Sequence, residues 1–122
     1  MRSQRLIPVP ALADNYIWLL ATGDDCLIVD PGEAPPVLAA LQRERLTPTT
    51  ILLTHHHPDH IAGVAGLLAA YPGLPVIAPH DERIATATRR VADGEQVRIE
   101  APRADFAVIE IPGHTRSHIA FF

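Results

Sequence analysis

A cluster of histidines lies near the middle of this 122-residue chain. The stretch LLTHHHPDHIAGVAG, at 52–66, places four of the seven histidines and one aspartate within the six residues 55–60. Imidazole is the commonest metal-binding side chain, and carboxylate oxygens also bind divalent ions. The cluster therefore predicts a metal site.

The spacing within the cluster favours two metal ions over one. His55 and His57 are separated by one residue, so on an extended segment both side chains point to the same side and can share an ion. After a turn at the following proline, Asp59 and His60 would reach a second position beside the first. His56 points away in this geometry, and we expect it to pack or to form hydrogen bonds. The alternative is a structureless histidine tract or an expression tag, but this cluster is internal and follows an apolar run.

The remaining histidines differ in their settings. His114 follows a Pro-Gly turn after the apolar run 106–111, where it could supply the third imidazole of the first metal. His118 is expected to contact a carboxylate or a backbone carbonyl, or simply to pack. His80 is read as a loop residue without assigned chemistry.

Two metal ions roughly 3.5–4 Å apart would hold a bridging water, lower its pKa so that hydroxide exists at neutral pH, and polarise a carbonyl. The cluster therefore predicts a hydrolase. A GxGxxG phosphate-binding pattern is absent from the sequence. The single cysteine, Cys26, lies in the apolar run CLIVD, and we expect a core residue there rather than a reactive thiol.

The elements that position these residues alternate between strands and helices, which predicts an α/β layered fold with a mixed sheet. Gly63 and Gly66 would be costly in an exposed helix, so they predict close packing or a loop-like first turn. The pattern predicts a β-hairpin of strands 15–20 and 26–30, an amphipathic helix at 35–46, a buried strand at 51–54, a helix at 61–71, a strand at 75–78, a short helical piece at 81–86, and strands at 96–99 and 106–111.

Composition and charge exclude several classes of protein. A hydrophobic content of 48% and a net charge of −4 suit one domain, 1–122, with a modest core. The chain has neither the basic stripe of a nucleic-acid surface nor an apolar run long enough to span a membrane. The first ten residues lack an apolar signal-peptide core, so we expect a cytoplasmic location.

The motif THHHPDH at 54–60 resembles the T-H-x-H-x-D-H signature of the metallo-β-lactamase superfamily. Within this superfamily, four further segments are similar, in the same order, to the glyoxalase II (hydroxyacylglutathione hydrolase) family. They are ALADNYIWLL, CLIVDPG, VADGE and IPGHTRSHIAFF. The resemblance implies an αββα sandwich with two divalent metal ions, zinc first, with iron or manganese as alternatives. It implies hydrolysis of S-D-lactoylglutathione to glutathione and D-lactate in methylglyoxal detoxification.

Carried over by position, the resemblance implies that His55, His57 and His114 bind the first metal. It implies that Asp59 and His60 belong to the second metal, with Asp59 as the catalytic carboxylate. We expect the strands that precede His57 and His114 to be neighbours in one sheet, with these two residues within about 8 Å of each other.

The resemblance also implies that residues 1–122 form the first half of the fold, before the glutathione-binding C-terminal region. The family's bridging aspartate, a further histidine and the glutathione-binding residues would come later, so we expect a weak second metal site and hydrolysis near background. An exposed inner sheet face, with Ile28, Leu52 and Val108, would favour self-association. The alternatives are another superfamily member, such as a lactonase, a β-lactamase or a persulfide dioxygenase, and an inactive metal-binding fragment.

Overall fold

The computed structural model describes residues 4–11, 15–54, 61–100, 103–110 and 119–121. Along these ranges three strands are followed by a helix, a strand, a second helix and five further strands, so strands and helices alternate only in the middle of the chain. The strands are β1 Gln4–Ala11, β2 Asn15–Thr22, β3 Asp25–Val29, β4 Thr47–Leu52, β5 Val76–Pro79, β6 Arg89–Val91, β7 Gln96–Glu100, β8 Arg103–Glu110 and β9 Ile119–Phe121, and the helices are α1 Ala34–Glu44 and α2 Val64–Ala70.

The first six strands form one mixed sheet in the order β1-β2-β3-β4-β5-β6. β1, β2 and β3 pair antiparallel, whereas β3, β4, β5 and β6 pair parallel. Because parallel neighbours end on the same side, the segments after β3, β4 and β5 leave the sheet at a common edge. We call it the site edge, marked by Asp30, Thr54 and His80. Ligand sites of α/β sheets gather at such edges.

The two helices pack on one face of this sheet, and a second sheet, β7-β8-β9, packs on the other. Val37, Leu41 and Leu67 contribute to the core between the helices and the six-stranded sheet. Leu27 and Val97 contribute to the core between the two sheets. The layers are thus helices, six-stranded sheet and three-stranded sheet, which confirms the predicted α/β class with a mixed sheet and flanking helices.

The predicted exposure of three apolar residues is wrong. Ile28, Leu52 and Val108 are each at most 1% exposed. Ile28 faces the helices, while Leu52 and Val108 lie between the sheets. The strands after residue 95 form a second sheet, which covers Leu52 and contains Val108, whereas the helices cover Ile28 on the other face.

Another part of the same inner face is uncovered in the described structure. Leu6, Tyr16 and Trp18 are 63%, 59% and 39% exposed on β1 and β2. Leu6 pairs with Leu20 across the strands, and the rings of Tyr16 and Trp18 lie 6.2 Å apart. We call this surface of Leu6, Tyr16 and Trp18 the open face. Apolar side chains that are grouped and exposed on one face favour association with another surface.

Three elements differ from the sequence prediction. β1 and β6 were not predicted, and the helical piece expected at 81–86 forms turns instead. The sequence pattern does not indicate β1 because this strand contains Pro8 and Pro10, and proline is uncommon in strands. Proline is tolerated at the edge of a sheet, and β1 lies at an edge of the described sheet. At 81–86 the Asp81 carboxylate accepts the Arg83 main-chain N–H at 3.0 Å, which favours a turn over a helix.

The prediction for Cys26 is confirmed. The residue is fully buried, and burial raises the pKa of its thiol to about 12, with the neighbouring Asp25 carboxylate adding to the rise. Since the thiolate is the reactive form, Cys26 packs as an inert core residue. Within the described ranges, no helix is long and apolar enough to cross a membrane.

Candidate metal centre

The residues predicted to bind metal lie in 55–60 and 111–118, outside the described residues. The assignments of His55, His57, Asp59, His60 and His114 therefore stay predictions, as does the predicted spacing of His57 and His114. Within the part of the chain that the structure describes, no group of three or more metal-binding side chains occurs. The structure does show how the residues flanking both segments are held.

Asp30 fixes the residue from which the histidine cluster departs. Its Oδ1 accepts the Thr54 main-chain N–H at 2.8 Å, and its Oδ2 accepts the Thr54 hydroxyl at 2.6 Å. The Asp30 main-chain N–H in turn donates to the Leu52 carbonyl at 2.9 Å. Bonds to a carboxylate are stronger than neutral ones. The end of β4 is therefore joined to the end of β3 by three hydrogen bonds.

The backbone of Asp30 is in the left-handed region, with φ of 50°. This conformation costs an ordinary L-residue roughly 1–2 kcal/mol, although aspartate adopts it more readily than most. The conformation coincides with the bonds that Asp30 makes to Thr54 and Leu52. Backbone strain of this kind occurs preferentially at functional sites.

Gly63 fixes the chain beyond the cluster. Its main-chain N–H donates to the Pro31 carbonyl at 2.8 Å. A Cβ at this position would lie 2.5 Å from the Glu33 carbonyl carbon and 2.6 Å from the Pro31 oxygen. At Gly66 a Cβ would lie 2.6 Å from the Ala34 Cβ. The prediction that these glycines permit close packing is confirmed, and the 30–33 turn contacts both flanks of the cluster.

Thr54 also connects the two sheets. Its carbonyl accepts the Ile119 main-chain N–H at 2.9 Å, and Ile119 is buried in the core between the sheets. Thr54 directly precedes the segment that contains the histidine cluster, and Ile119 directly follows the segment that contains His114. One hydrogen bond therefore joins the residues that flank the two segments predicted to bind metal.

This connection corrects one expectation about the strands. β4, before the histidine cluster, belongs to the six-stranded sheet, whereas β8, before His114, belongs to the three-stranded sheet. They are not neighbours in one sheet. The residues that flank the two segments, Thr54 and Ile119, are instead joined by a hydrogen bond where the two sheets face each other.

An apolar cleft adjoins Thr54 on the inner side of the six-stranded sheet. Its volume is about 320 Å³. The other lining residues are apolar and come from both sheets: Leu6, Leu20, Leu27, Val29, Leu52, Phe106 and Phe121. The site edge thus has a polar, hydrogen-bonded anchor beside an apolar surface.

Two residues at the site edge had no functional assignment from the sequence. The sequence pattern predicts Asp30 only as the end of a strand and His80 only as a loop residue. The Asp-Pro-Gly sequence directly after an apolar strand was the available signal for Asp30, since it places a carboxylate where parallel strands end. His80 is exposed directly after β5.

Comparison with known proteins identifies the family. Residues 12–122 match the family described as the Metallo-beta-lactamase superfamily. The chain belongs to this superfamily. Its layered fold is that of a metallo-β-lactamase domain.

Curated relatives carry a more specific name. The chain is 56% identical over 118 residues to a hydroxyacylglutathione hydrolase of Xanthomonas oryzae pv. oryzae, covering 96% of this chain and 46% of that protein. A hydroxyacylglutathione hydrolase of Pectobacterium atrosepticum is 52% identical with the same coverage. The chain therefore spans less than half the length of these relatives.

Solved structures share the fold. BLEG-1 B3 metallo-beta-lactamase has a TM-score of 0.85 at 24% identity, over 97% of this chain and 66% of that chain. TTHA1623, solved in a di-iron-bound form, has a TM-score of 0.73 at 29% identity, over 95% of this chain and 66% of that chain. ETHE1 from Myxococcus xanthus has the same TM-score at 25% identity, over 98% and 53%.

The first prediction concerns the Asp30–Thr54 anchor. Thr54→Val removes the hydroxyl and deprives the Asp30 carboxylate of one donor. Because such a loss at a partly buried carboxylate costs about 1–3 kcal/mol, we expect the free energy of unfolding in urea to fall by that amount. Thr54→Ser keeps the hydroxyl and is the matched control. Equal losses in the two variants would contradict a role for the hydroxyl bond.

Proposed function

We propose that the protein hydrolyses 2-hydroxyacylglutathione thioesters, with S-D-lactoylglutathione as the substrate and glutathione and D-lactate as products. The observation that carries the proposal is the 56% identity, over 96% of this chain, to proteins named hydroxyacylglutathione hydrolase. The reaction would serve methylglyoxal detoxification. A cytoplasmic location stays a prediction.

The proposed metal ligands are those predicted from the sequence. His55, His57 and His114 would hold the first ion, and Asp59 and His60 the second. Imidazole and carboxylate suit zinc, iron and manganese. Zinc is the first choice, and one structural neighbour was solved with di-iron. The tether between Thr54 and Ile119 supports the proposal, since it joins the flanks of both segments.

The described residues would support this centre by fixing its framework. When bound, the metal pair supplies a hydroxide near neutral pH and polarises the thioester carbonyl. Asp30 holds the main chain and side chain of Thr54, and Pro31 holds Gly63. Fixing both flanks lowers the conformational entropy lost when the ligands between them gather around metal. Asp30 is thus a positioning residue.

Thioester hydrolysis is tested by comparing substrate classes. Zinc-supplied protein is assayed with S-D-lactoylglutathione, a β-lactam and a lactone, and released glutathione is followed through its thiol. We expect kcat/KM to favour the thioester at least about a hundredfold, a difference of about 2.7 kcal/mol in transition-state binding. Because the 122-residue chain alone is expected to hydrolyse near background, this preference is measured on the active enzyme, as for the kinetic variants discussed below. An equal or reversed preference would favour a lactamase or lactonase.

Metal content separates the remaining alternatives. If the protein is a persulfide dioxygenase, it should bind a single iron and consume oxygen. The proposed hydrolase requires neither a single iron nor oxygen. Zinc bound without turnover of any of the three substrates, under conditions that measure rates well below those of ordinary enzymes, would favour the inactive metal-binding fragment.

Self-association is predicted through the open face. Leu6→Glu places a charge on this surface at a side chain that is already 63% exposed. Burying a leucine side chain contributes about 1.5–3 kcal/mol, so we expect the dissociation constant of the dimer to rise about tenfold or more. Sedimentation velocity over a concentration series measures it. Gln96→Glu adds the same charge on β7 and should leave association unchanged; a monomeric wild-type protein would contradict the prediction.

A further inference from the structure

A second cleft between the two sheets opens at the edge of the six-stranded sheet opposite the site edge. Because β4, β5 and β6 are parallel, all three begin at this edge and end at the site edge. Residues of both sheets line the cleft, which has a volume of about 390 Å³. We call it the far cleft. It is separate from the segments predicted to bind metal, which leave or reach the sheets at the other edge.

Thr50 places a buried hydroxyl on the wall of the far cleft. The residue is 5% exposed, and it pairs with Leu27, which lies in the core between the sheets. Side chains of paired residues point to the same face, so that of Thr50 points between the sheets. Within the residues that the structure describes, its hydroxyl makes no hydrogen bond. Burying an unpartnered hydroxyl is unfavourable, so this one calls for a hydrogen-bonding group in the cleft.

Arg89 adds a cation to the same cleft. It pairs with Ile77 of β5, and both residues line the cleft. One N–H of its Nη2 donates to the Gln96 carbonyl of β7 at 3.3 Å, so the guanidinium reaches from one sheet to the other. A guanidinium carries five N–H donors, and the other four have no partner in the described part of the chain. They can therefore donate to an acceptor in the cleft.

Much of the remaining wall of the far cleft is apolar. Ile77 and Ile99 face each other from the two sheets and are both buried. Arg98 also lines the cleft, but its Nε donates to the Asp105 carboxylate at 3.1 Å, which offsets its charge. Glu100, which is exposed, opposes an anion. One guanidinium and one hydroxyl beside apolar side chains suit a single carboxylate on a short apolar chain better than they suit inorganic phosphate.

We propose that the far cleft binds a small aliphatic monocarboxylate. Its carboxylate oxygens accept hydrogen bonds from the Arg89 guanidinium and the Thr50 hydroxyl, while its chain lies against Ile77 and Ile99. The two donors belong to different strands, so the site is a product of the sheet and not of a local motif. Binding there uses none of the proposed metal ligands and does not depend on the proposed function.

The test is an NMR titration of the 122-residue protein at pH 7 with pentanoate and with pentanamide, which has the same chain without the charge. Pentanoate should shift the amide signals of Thr50, Ile77 and Arg89. Because exposed ion pairs contribute modestly, we expect Arg89→Gln to weaken pentanoate binding about three- to fivefold and to leave pentanamide binding unchanged. Arg43→Gln removes the same charge from α1, across the six-stranded sheet, and should leave both unchanged.

Thr50→Val separates a binding role from a structural one. Valine keeps the branched shape and removes the hydroxyl, so Tm should stay the same or rise while pentanoate binding weakens about threefold or more. A fall in Tm with unchanged pentanoate binding would overturn the proposal. So would tighter binding of inorganic phosphate than of pentanoate, equal effects of Arg89→Gln and Arg43→Gln, or signal shifts confined to residues 54–60, which would place pentanoate at the predicted metal centre. Wild-type protein that does not bind pentanoate would also overturn it.

Discussion

Replacing Asp59 with alanine in the active enzyme is expected to lower kcat/KM on the order of a thousandfold, whereas His56→Ala should change it less than about threefold. Asp59 is proposed to hold the second metal beside the attacking hydroxide. Charge stabilisation by a metal ion is worth several kcal/mol, and each 1.36 kcal/mol is a factor of about ten in rate. His56 is predicted to point away from the metals, so its loss should cost only local packing.

The measurement pairs steady-state kinetics with metal analysis. Asp59→Asn keeps the size of the side chain but removes its charge, so it should lie between the wild-type enzyme and Asp59→Ala in both activity and second-metal occupancy. Circular dichroism of each variant separates loss of metal from loss of fold. Comparable losses of kcat/KM in Asp59→Ala and His56→Ala would show that the inward and outward faces of the cluster are wrongly assigned.

Gly63→Ala is expected to destabilise the protein by about 3 kcal/mol, at the upper end of typical overpacking costs. The added methyl carbon would lie 2.5 Å from the Glu33 carbonyl carbon and 2.6 Å from the Pro31 oxygen. Both contacts are main-chain atoms, which cannot rotate aside, so the 30–33 turn or the start of α2 must shift. For a domain of this size the loss corresponds to a fall in Tm of roughly 10 °C.

Gly73→Ala is the control for the glycine substitution itself. Gly73 has φ of 90°, and nothing lies within 4 Å of a Cβ built there. Its replacement should cost only the left-handed backbone penalty of about 1–2 kcal/mol and leave zinc affinity unchanged. Gly63→Ala should also weaken zinc binding, because Gly63 anchors the segment after the cluster. A larger fall in Tm for Gly73→Ala than for Gly63→Ala would contradict the close contact between Gly63 and the 30–33 turn.

Local sequence patterns predicted the elements with strong periodicity. The helix expected at 35–46 is observed as Ala34–Glu44, and the hairpin of 15–20 and 26–30 as Asn15–Thr22 and Asp25–Val29. The apolar stripe and the turn between strands are local properties, so they are visible in the sequence. β1 was missed because its two prolines are tolerated only at an edge, and edge position is a property of the assembled sheet.

The candidate site was located by its motif, but its supports were not predicted. The role of Asp30 depends on the parallel pairing of β3 with β4, which brings it to a partner 24 residues away. The bond between Thr54 and Ile119 depends on how the two sheets face each other. Contacts between distant segments leave no periodic pattern, so sequence reasoning wrongly placed the strands before His57 and His114 in one sheet.

The central claim is that three imidazoles from two distant segments share one metal ion. The direct test is a crystal structure of the zinc-loaded protein with the ion located by anomalous scattering. We expect one zinc with nitrogen atoms of His55, His57 and His114 at about 2.0–2.1 Å each. A zinc bound without His114, or His57 and His114 separated by more than about 8 Å, would contradict the claim, since imidazoles that far apart cannot share an ion at these bond lengths.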